Sequence, residues 1–263
     1  MSDLVAVVGV SFALAVLAMV ITAVVARRIR RVSVVDVTWG LALTAIGVAC
    51  ALLGTGWVPW LIAGLVAVWG CRLSWHIFQR SRGKGEDPRY TALLGGLTAD
   101  DGSAWFSAAV RKVFLIQGAA VFFVAWPLQS AAVGTDPVLA LVGVGVAVWL
   151  LGFVFETVGD AQLEAYKRDP DRAPVMDRGL WGWTRHPNYF GDSCVWWGIW
   201  LAGAAAYGWL PALITLPAPL TMTYFLAYAT GARPLERTMM QRPGYPEYAA
   251  RTSMFVPLPP KRG

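Results

Sequence analysis

Long apolar runs recur along the whole chain, near residues 4–26, 37–53, 57–78, 113–132, 137–158, 190–207 and 211–231. A bilayer-spanning helix needs about 20 mostly apolar residues. Inside hydrocarbon the backbone must satisfy its own polar groups, which selects helices for runs of this length. The expectation is an all-α, polytopic membrane protein of about seven transmembrane helices. Composition agrees: 14% of residues are charged, where a soluble domain carries about 25%. The 263 residues leave no room for a sizeable soluble domain, so residues 1–263 read as one integral membrane domain. The first run is too long for the apolar core of a signal peptide and is followed by arginines, so it reads as a retained helix.

The linkers set the orientation. Arg27, Arg28, Arg30 and Arg31 follow the first run. The stretch 79–112 carries Arg80, Arg82, Lys84, Arg89, Arg111 and Lys112. The stretch 159–189 carries Lys167, Arg168, Arg172, Arg178 and Arg185, and the tail carries Arg233, Arg237, Arg242, Arg251, Lys261 and Arg262. The intervening linkers, at 54–56, 133–136 and near Tyr207-Gly208, contain only Asp136. Basic linkers stay in the cytoplasm, which places the N-terminus outside and the C-terminus inside. This pattern also explains the net charge of +6 without nucleic acid, because basic residues beside spans face anionic headgroups. Trp57, Trp60, Trp126 and Trp209 fall at outer ends, as an interfacial belt. The last run contains Pro211, Pro217 and Pro219 and is expected to kink or start late. Cys50, Cys71 and Cys194 lie in apolar runs without metal or disulfide spacing and read as buried thiols.

Ionisable residues inside spans are costly and are functional candidates by default. Asp36 opens the second run. Arg72 and His76 lie four apart near the end of the third, and Glu156 and Asp160 lie four apart at the end of the fifth, each pair sharing a helix face. The densest motif is Arg178 to Asp192, a loop that turns into a helix at Pro187. Asn188 and Asp192 then share a face, and a helix start beside Arg178 and Arg185 suits an anion. The tail adds Arg233, Glu236, Arg237, Tyr245, Tyr248 and Arg251, and the loop Glu86-Asp87-Pro88-Arg89-Tyr90 adds a second charged, aromatic segment. Guanidinium forks suit phosphates and tyrosine rings suit adenine. The residues alone thus point to a membrane-embedded site for an anionic, nucleotide-like cofactor beside a lipid-accessible cavity.

The stretch Arg185-His186-Pro187-Asn188-Tyr189-Phe190-Gly191-Asp192, with Arg233-Pro234-Leu235-Glu236, Arg242-Pro243-Gly244-Tyr245, Tyr248, Arg251 and Phe255-Val256-Pro257, resembles the C-terminal domain of steroid 5-alpha-reductases. The segments Val35 to Gly40 and Glu86 to Tyr90 extend the resemblance to a bacterial membrane branch of that superfamily. The resemblance implies seven helices, NADPH, and reduction of a carbon–carbon double bond conjugated to a carbonyl in a lipid or steroid-like substrate. It implies a substrate-side half over 1–112 and a cofactor-binding half over 113–263. Residue by residue, it implies that Asn188 and Asp192 meet the nicotinamide amide or ribose. Asp160 would meet ribose or adenosine, and Lys167 and Arg233 the phosphates. Arg178, Arg185, His186, Tyr189, Glu236, Arg237, Tyr245 and Tyr248 complete the cofactor set. The family's catalytic glutamate falls at Asp36 and its span-three tyrosine near Trp69, with Arg72 beyond, so Asp36 and Arg72 are the catalytic candidates. No metal is expected. The implied location is a bacterial inner membrane with the site facing the cytoplasm.

Two other classes fit parts of the pattern. An isoprenylcysteine-type methyltransferase shares the Arg-His-Pro-x-Tyr helix start and binds S-adenosylmethionine. Such an enzyme favours paired glutamates after the tail arginine, where this chain has Arg233-Pro234-Leu235-Glu236. A non-enzymatic lipid-binding scaffold would tolerate loss of Asn188 or Arg233.

Overall fold

The computed structural model describes residues 2–260, so Lys261 and Arg262 lie outside the described residues. The described chain is helical, and its single isolated β-bridge joins Thr184 to Ser253. Among the described residues, six helical stretches are long and apolar enough to cross a membrane: Asp3–Ile29, Val32–Leu53, Val58–Ser81, Ala99–Val133, Leu139–Arg168 and Trp209–Met239. The expected sixth run forms a helix of 17 residues, Pro187–Gly203. The chain is an integral membrane protein by these features.

The chain divides into two compact units, Met1–Pro137 with Tyr207–Pro211, and Val138–Ala206 with Ala212–Gly263. The first unit contains α1 (Ser2–Ile29), α2 (Val35–Leu53), α3 (Val58–Ser81), α4 (Pro88–Leu93), α5 (Gly102–Ala109), α6 (Leu115–Val124) and α7 (Trp126–Val133). A π-turn over Val110–Phe114 joins α5 to α6. The fourth span therefore starts ahead of the apolar run at 113 and takes in the end of the 79–112 stretch. That span breaks again at Ala125, ahead of Pro127, which cannot donate into a helix.

The second unit contains α8 (Leu139–Arg168) and α9 (Pro187–Gly203). After α10 (Trp209–Thr215) come α11 (Pro217–Tyr224), α12 (Ala232–Met239) and α13 (Tyr245–Arg251). The proline-rich stretch is interrupted as expected: α11 restarts at Pro217, and a π-turn over Phe225–Ala229 precedes α12. α8 runs ten residues past its expected end, carrying Glu156 and Asp160 within regular helix.

Glycine sets the helix contacts in both units. On α8, Gly145 and Gly152 are seven apart, as are Gly191 and Gly198 on α9. A Cβ on Gly152 would lie 2.4 Å from the Gly191 carbonyl oxygen, and one on Gly198 would lie 2.6 Å from the Gly145 carbonyl oxygen. In the first unit a Cβ on Gly40 of α2 would lie 2.1 Å from the Gly70 carbonyl oxygen of α3. Lipid tails are as apolar as leucine, so helices in a bilayer associate through packing at small residues. Gly152→Val therefore overpacks a backbone contact and should cost about 1–3 kcal/mol. Gly64→Ala, where an added Cβ meets nothing within 4 Å, should be tolerated. Thermal unfolding in detergent checks both, and equal melting temperatures for the two variants would contradict the packing argument.

Candidate functional site

In the second unit, the α8–α9 contact gathers the buried acids. Glu156 is 2% exposed, Asp160 8% and Asp192 7%. Glu156 follows Gly152 by one turn, and a Cβ on Gly191 would lie 2.4 Å from the Glu156 backbone nitrogen. Asn188, at the first turn of α9, donates Nδ2 to Asp160 Oδ1 at 3.1 Å. A carboxylate only accepts, so the amide nitrogen faces Asp160. Asn188 Oδ1 is left buried without a hydrogen-bond partner. Thr157 Oγ1 on α8 is likewise buried and unpaired. Buried acceptors without partners are rare in native structures and call for an explanation. No group of His, Cys, Asp and Glu suited to a metal occurs among the described residues.

A second cluster ties the start of α9 to the tail. Glu236 of α12 receives Arg185 Nε on Oε1 at 2.5 Å and Arg185 Nη2 on Oε2 at 2.9 Å, a bidentate pair. Arg185 Nη1 donates to the carbonyls of Ala249 and Thr252, at 2.7 and 2.6 Å. His186 Nε2 lies 3.2 Å from Glu236 Oε1, and the Tyr245 hydroxyl donates to the same oxygen at 3.4 Å. Burial opposes the Arg185 charge, yet the hydrogen bond and charge of Glu236 raise its pKa. The Tyr245 hydroxyl is pushed up by burial first and by Glu236 second. Tyr189 stacks on His186 with ring centroids 5.5 Å apart. Tyr248 donates its hydroxyl to the Trp181 carbonyl at 2.6 Å, and Trp181 Nε1 donates to the Gly159 carbonyl at 3.0 Å. The motifs 178–192 and 233–257 therefore meet.

The remaining basic candidates are surface groups. Lys167, Arg178, Arg233 and Arg237 are exposed. α12 separates its faces: Ala232 and Glu236 are buried, whereas Arg233 and Arg237, one turn apart, are exposed.

The first unit holds the two catalytic candidates. Asp36 opens α2 and accepts a short hydrogen bond from the Tyr90 hydroxyl. Arg89 Nη2 lies 3.6 Å from Asp36 Oδ2 and also holds Asp87 at 2.9 Å. Burial pushes the Tyr90 pKa up, and the neighbouring Asp36 charge pushes it further. Burial raises Asp87, but the hydrogen bonds from Arg89 outweigh it and leave that carboxyl below its ordinary value. Glu86 accepts the backbone N–H groups of Val32 and Ser33, at the turn that leads into α2. Arg72 is half-buried in α3.

Tyr90 as a partner of Asp36, and Glu86 as a cap, were not visible in the sequence. Asp87 caps α4 by accepting the Arg89 N–H at 2.9 Å, with Pro88 at the first helical position. From the sequence alone this segment reads as a loop; its Asp-Pro start fixes where Arg89 and Tyr90 emerge. Replacing Glu236 with Gln leaves the nearly buried Arg185 without its counter-charge, which should cost about 3 kcal/mol. Tyr90→Phe deletes one hydrogen bond to a carboxylate and should cost about 1.5–3 kcal/mol. Thermal unfolding in detergent measures both; an unchanged melting temperature for Glu236→Gln would show that the clamp is not structural.

No curated protein and no solved structure matches the chain. Residues 22–252, most of the chain, match a family described as a protein of unknown function, DUF1295. Its buried acids, paired motifs and apolar helices are thus those of a membrane protein that belongs to the DUF1295 family.

Proposed function

We propose that this chain is a membrane-embedded, NADPH-dependent reductase of the steroid 5-alpha-reductase type. It would reduce a carbon–carbon double bond conjugated to a carbonyl in a lipid or steroid-like substrate. The observation that carries the reading is Asn188: one end of its amide is held by Asp160, and its Oδ1 is a buried acceptor without a partner. A carboxamide N–H of a nicotinamide is the complementary donor, so the residues present fit this cofactor. When bound, NADPH would supply the hydride. Asp160 orients Asn188, and the exposed Lys167, Arg178, Arg233 and Arg237 offer cations for phosphates. Asp192 is kept as a further ribose or nicotinamide contact. Arg185, His186, Glu236 and Tyr245 are occupied with one another and serve by fixing the start of α9. On the substrate side, Asp36 with Tyr90 and Arg89 is the proposed donor that polarises the carbonyl oxygen, and Arg72 of α3 remains a second candidate for that role.

The same reading takes α9 as a seventh span. Its 17 residues extend about 25 Å, at the short end of what a bilayer accepts. Seven spans put the N-terminus outside and the C-terminus, with the cofactor residues, in the cytoplasm of a bacterial inner membrane. Single cysteines at Thr55, Asp136 and Gly208 should then react with an impermeant reagent added from outside. Cysteines at Gly85 and Glu247 should not. Reaction of the Gly208 variant from the same side as Glu247 would contradict the seventh span.

Thermal stabilisation of the detergent-purified protein tests the chemistry. NADPH should stabilise it, and Asn188→Ala should weaken that binding about tenfold, the value of one hydrogen bond near 1.4 kcal/mol. Stabilisation by S-adenosylmethionine and not by NADPH would overturn the reductase reading in favour of a methyltransferase.

A further inference from the structure

We propose that the tail over Met254–Pro260, together with Trp183, forms a fixed platform that lies in the headgroup region of the bilayer and extends the short helix α9. The proposal rests on the reading of α9 as a span.

Hydrogen bonds and one aromatic contact order the tail. Arg185 N donates to the Ser253 carbonyl at 2.8 Å, and Leu258 N donates to the Trp183 carbonyl at 3.0 Å. The Thr184 hydroxyl, fully buried, lies 2.9 Å from the Phe255 carbonyl and 3.2 Å from that of Met254. Phe255 packs edge-on against Phe190 of α9, with centroids 6.2 Å apart. On this fixed backbone, three large apolar side chains face outward: Trp183 is 51% exposed, and Val256 and Leu258 are each 54% exposed.

Three observations select a lipid interface as the occupant. First, Trp183 stands four residues before Pro187, at the very start of α9, and tryptophan favours the headgroup level. Second, α9 at about 25 Å falls short of a hydrocarbon core of about 30 Å. A short span is accommodated by flanking residues that reach the interface, and Trp183, Val256 and Leu258 flank this one. Third, the stretch Val256-Pro257-Leu258-Pro259-Pro260 carries only two backbone N–H groups, because proline has none. That of Leu258 is already satisfied. Such a segment has few backbone donors left to satisfy, and its carbonyls can still accept from the hydrated headgroup region.

The test uses the full chain with Cys71→Ser and Cys194→Ala, since Cys71 is exposed and Cys194 partly so. A nitroxide is attached at Val256→Cys or Leu258→Cys, with Glu247→Cys on the exposed side of α13 as the aqueous control. The protein is placed in nanodiscs of mixed phosphatidylethanolamine and phosphatidylglycerol. Power-saturation resonance then compares collision with oxygen, which concentrates in the bilayer, against a water-soluble nickel chelate. The platform predicts an oxygen-to-nickel ratio several-fold higher at 256 and 258 than at 247. Equal ratios would overturn it and leave the Pro257-Leu258-Pro259-Pro260 stretch free for a soluble protein partner. Low access to both agents with dipolar broadening would also overturn it, by showing that a second copy covers the patch. Cysteine accessibility at Gly208 reports on the seventh span separately, so failure of that reading is distinguishable from failure of the platform.

Discussion

The close approach of α8 to α9 is the constraint from which the second unit follows. In a bilayer no hydrophobic effect draws two helices together, because lipid solvates their faces equally well. Backbone contact at Gly152 and Gly191 supplies the packing instead. It also seals the adjacent side chains into protein. Glu156 on one helix and Asn188 and Asp192 on the other fall within about a turn of that contact, and Asp160 follows Glu156 by one further turn of α8. Carboxylates facing lipid would carry a large cost; here Glu156, Asp160 and Asp192 are buried within protein instead. The α2–α3 contact at Gly40 and Gly70 repeats the device in the first unit.

A second device fixes where α9 begins. Glu236 receives Arg185, His186 and Tyr245, and Arg185 spends its other donors on carbonyls at 249 and 252. Breaking a buried pair leaves an uncompensated charge, so three segments distant in sequence are locked as one. The cluster determines the direction in which Asn188 leaves the first turn. Its polar groups bond to one another, so its role is to position α9.

Much of this was legible beforehand. Apolar runs gave the helical class, and the prolines at 211, 217 and 219 marked a broken last span. The two motifs at 178–192 and 233–257 were expected to share a face, and the Thr184–Ser253 bridge shows them side by side. Other parts were not legible for physical reasons. Charge type cannot tell whether an arginine waits for a phosphate or for a glutamate fifty residues away, so Arg185 and Glu236 read as ligand contacts. Tyr90 and Asp36 are separated by 54 residues, and only the fold of the intervening helices brings hydroxyl to carboxylate. The fourth span begins at Ala99, fourteen residues ahead of the apolar run at 113, because a π-turn absorbs Arg111 and Lys112 into continuous helix, a geometry that periodicity does not encode.

The central claim is that the α8–α9 contact builds a site for a phosphorylated pyridine dinucleotide. Native mass spectrometry of the protein released from detergent after incubation with NADPH tests it most directly. The account predicts one dinucleotide bound per chain in the wild type and an adduct weakened about tenfold in Asn188→Ala. An adduct with S-adenosylmethionine and none with NADPH, or a dinucleotide adduct indifferent to Asn188, would contradict it.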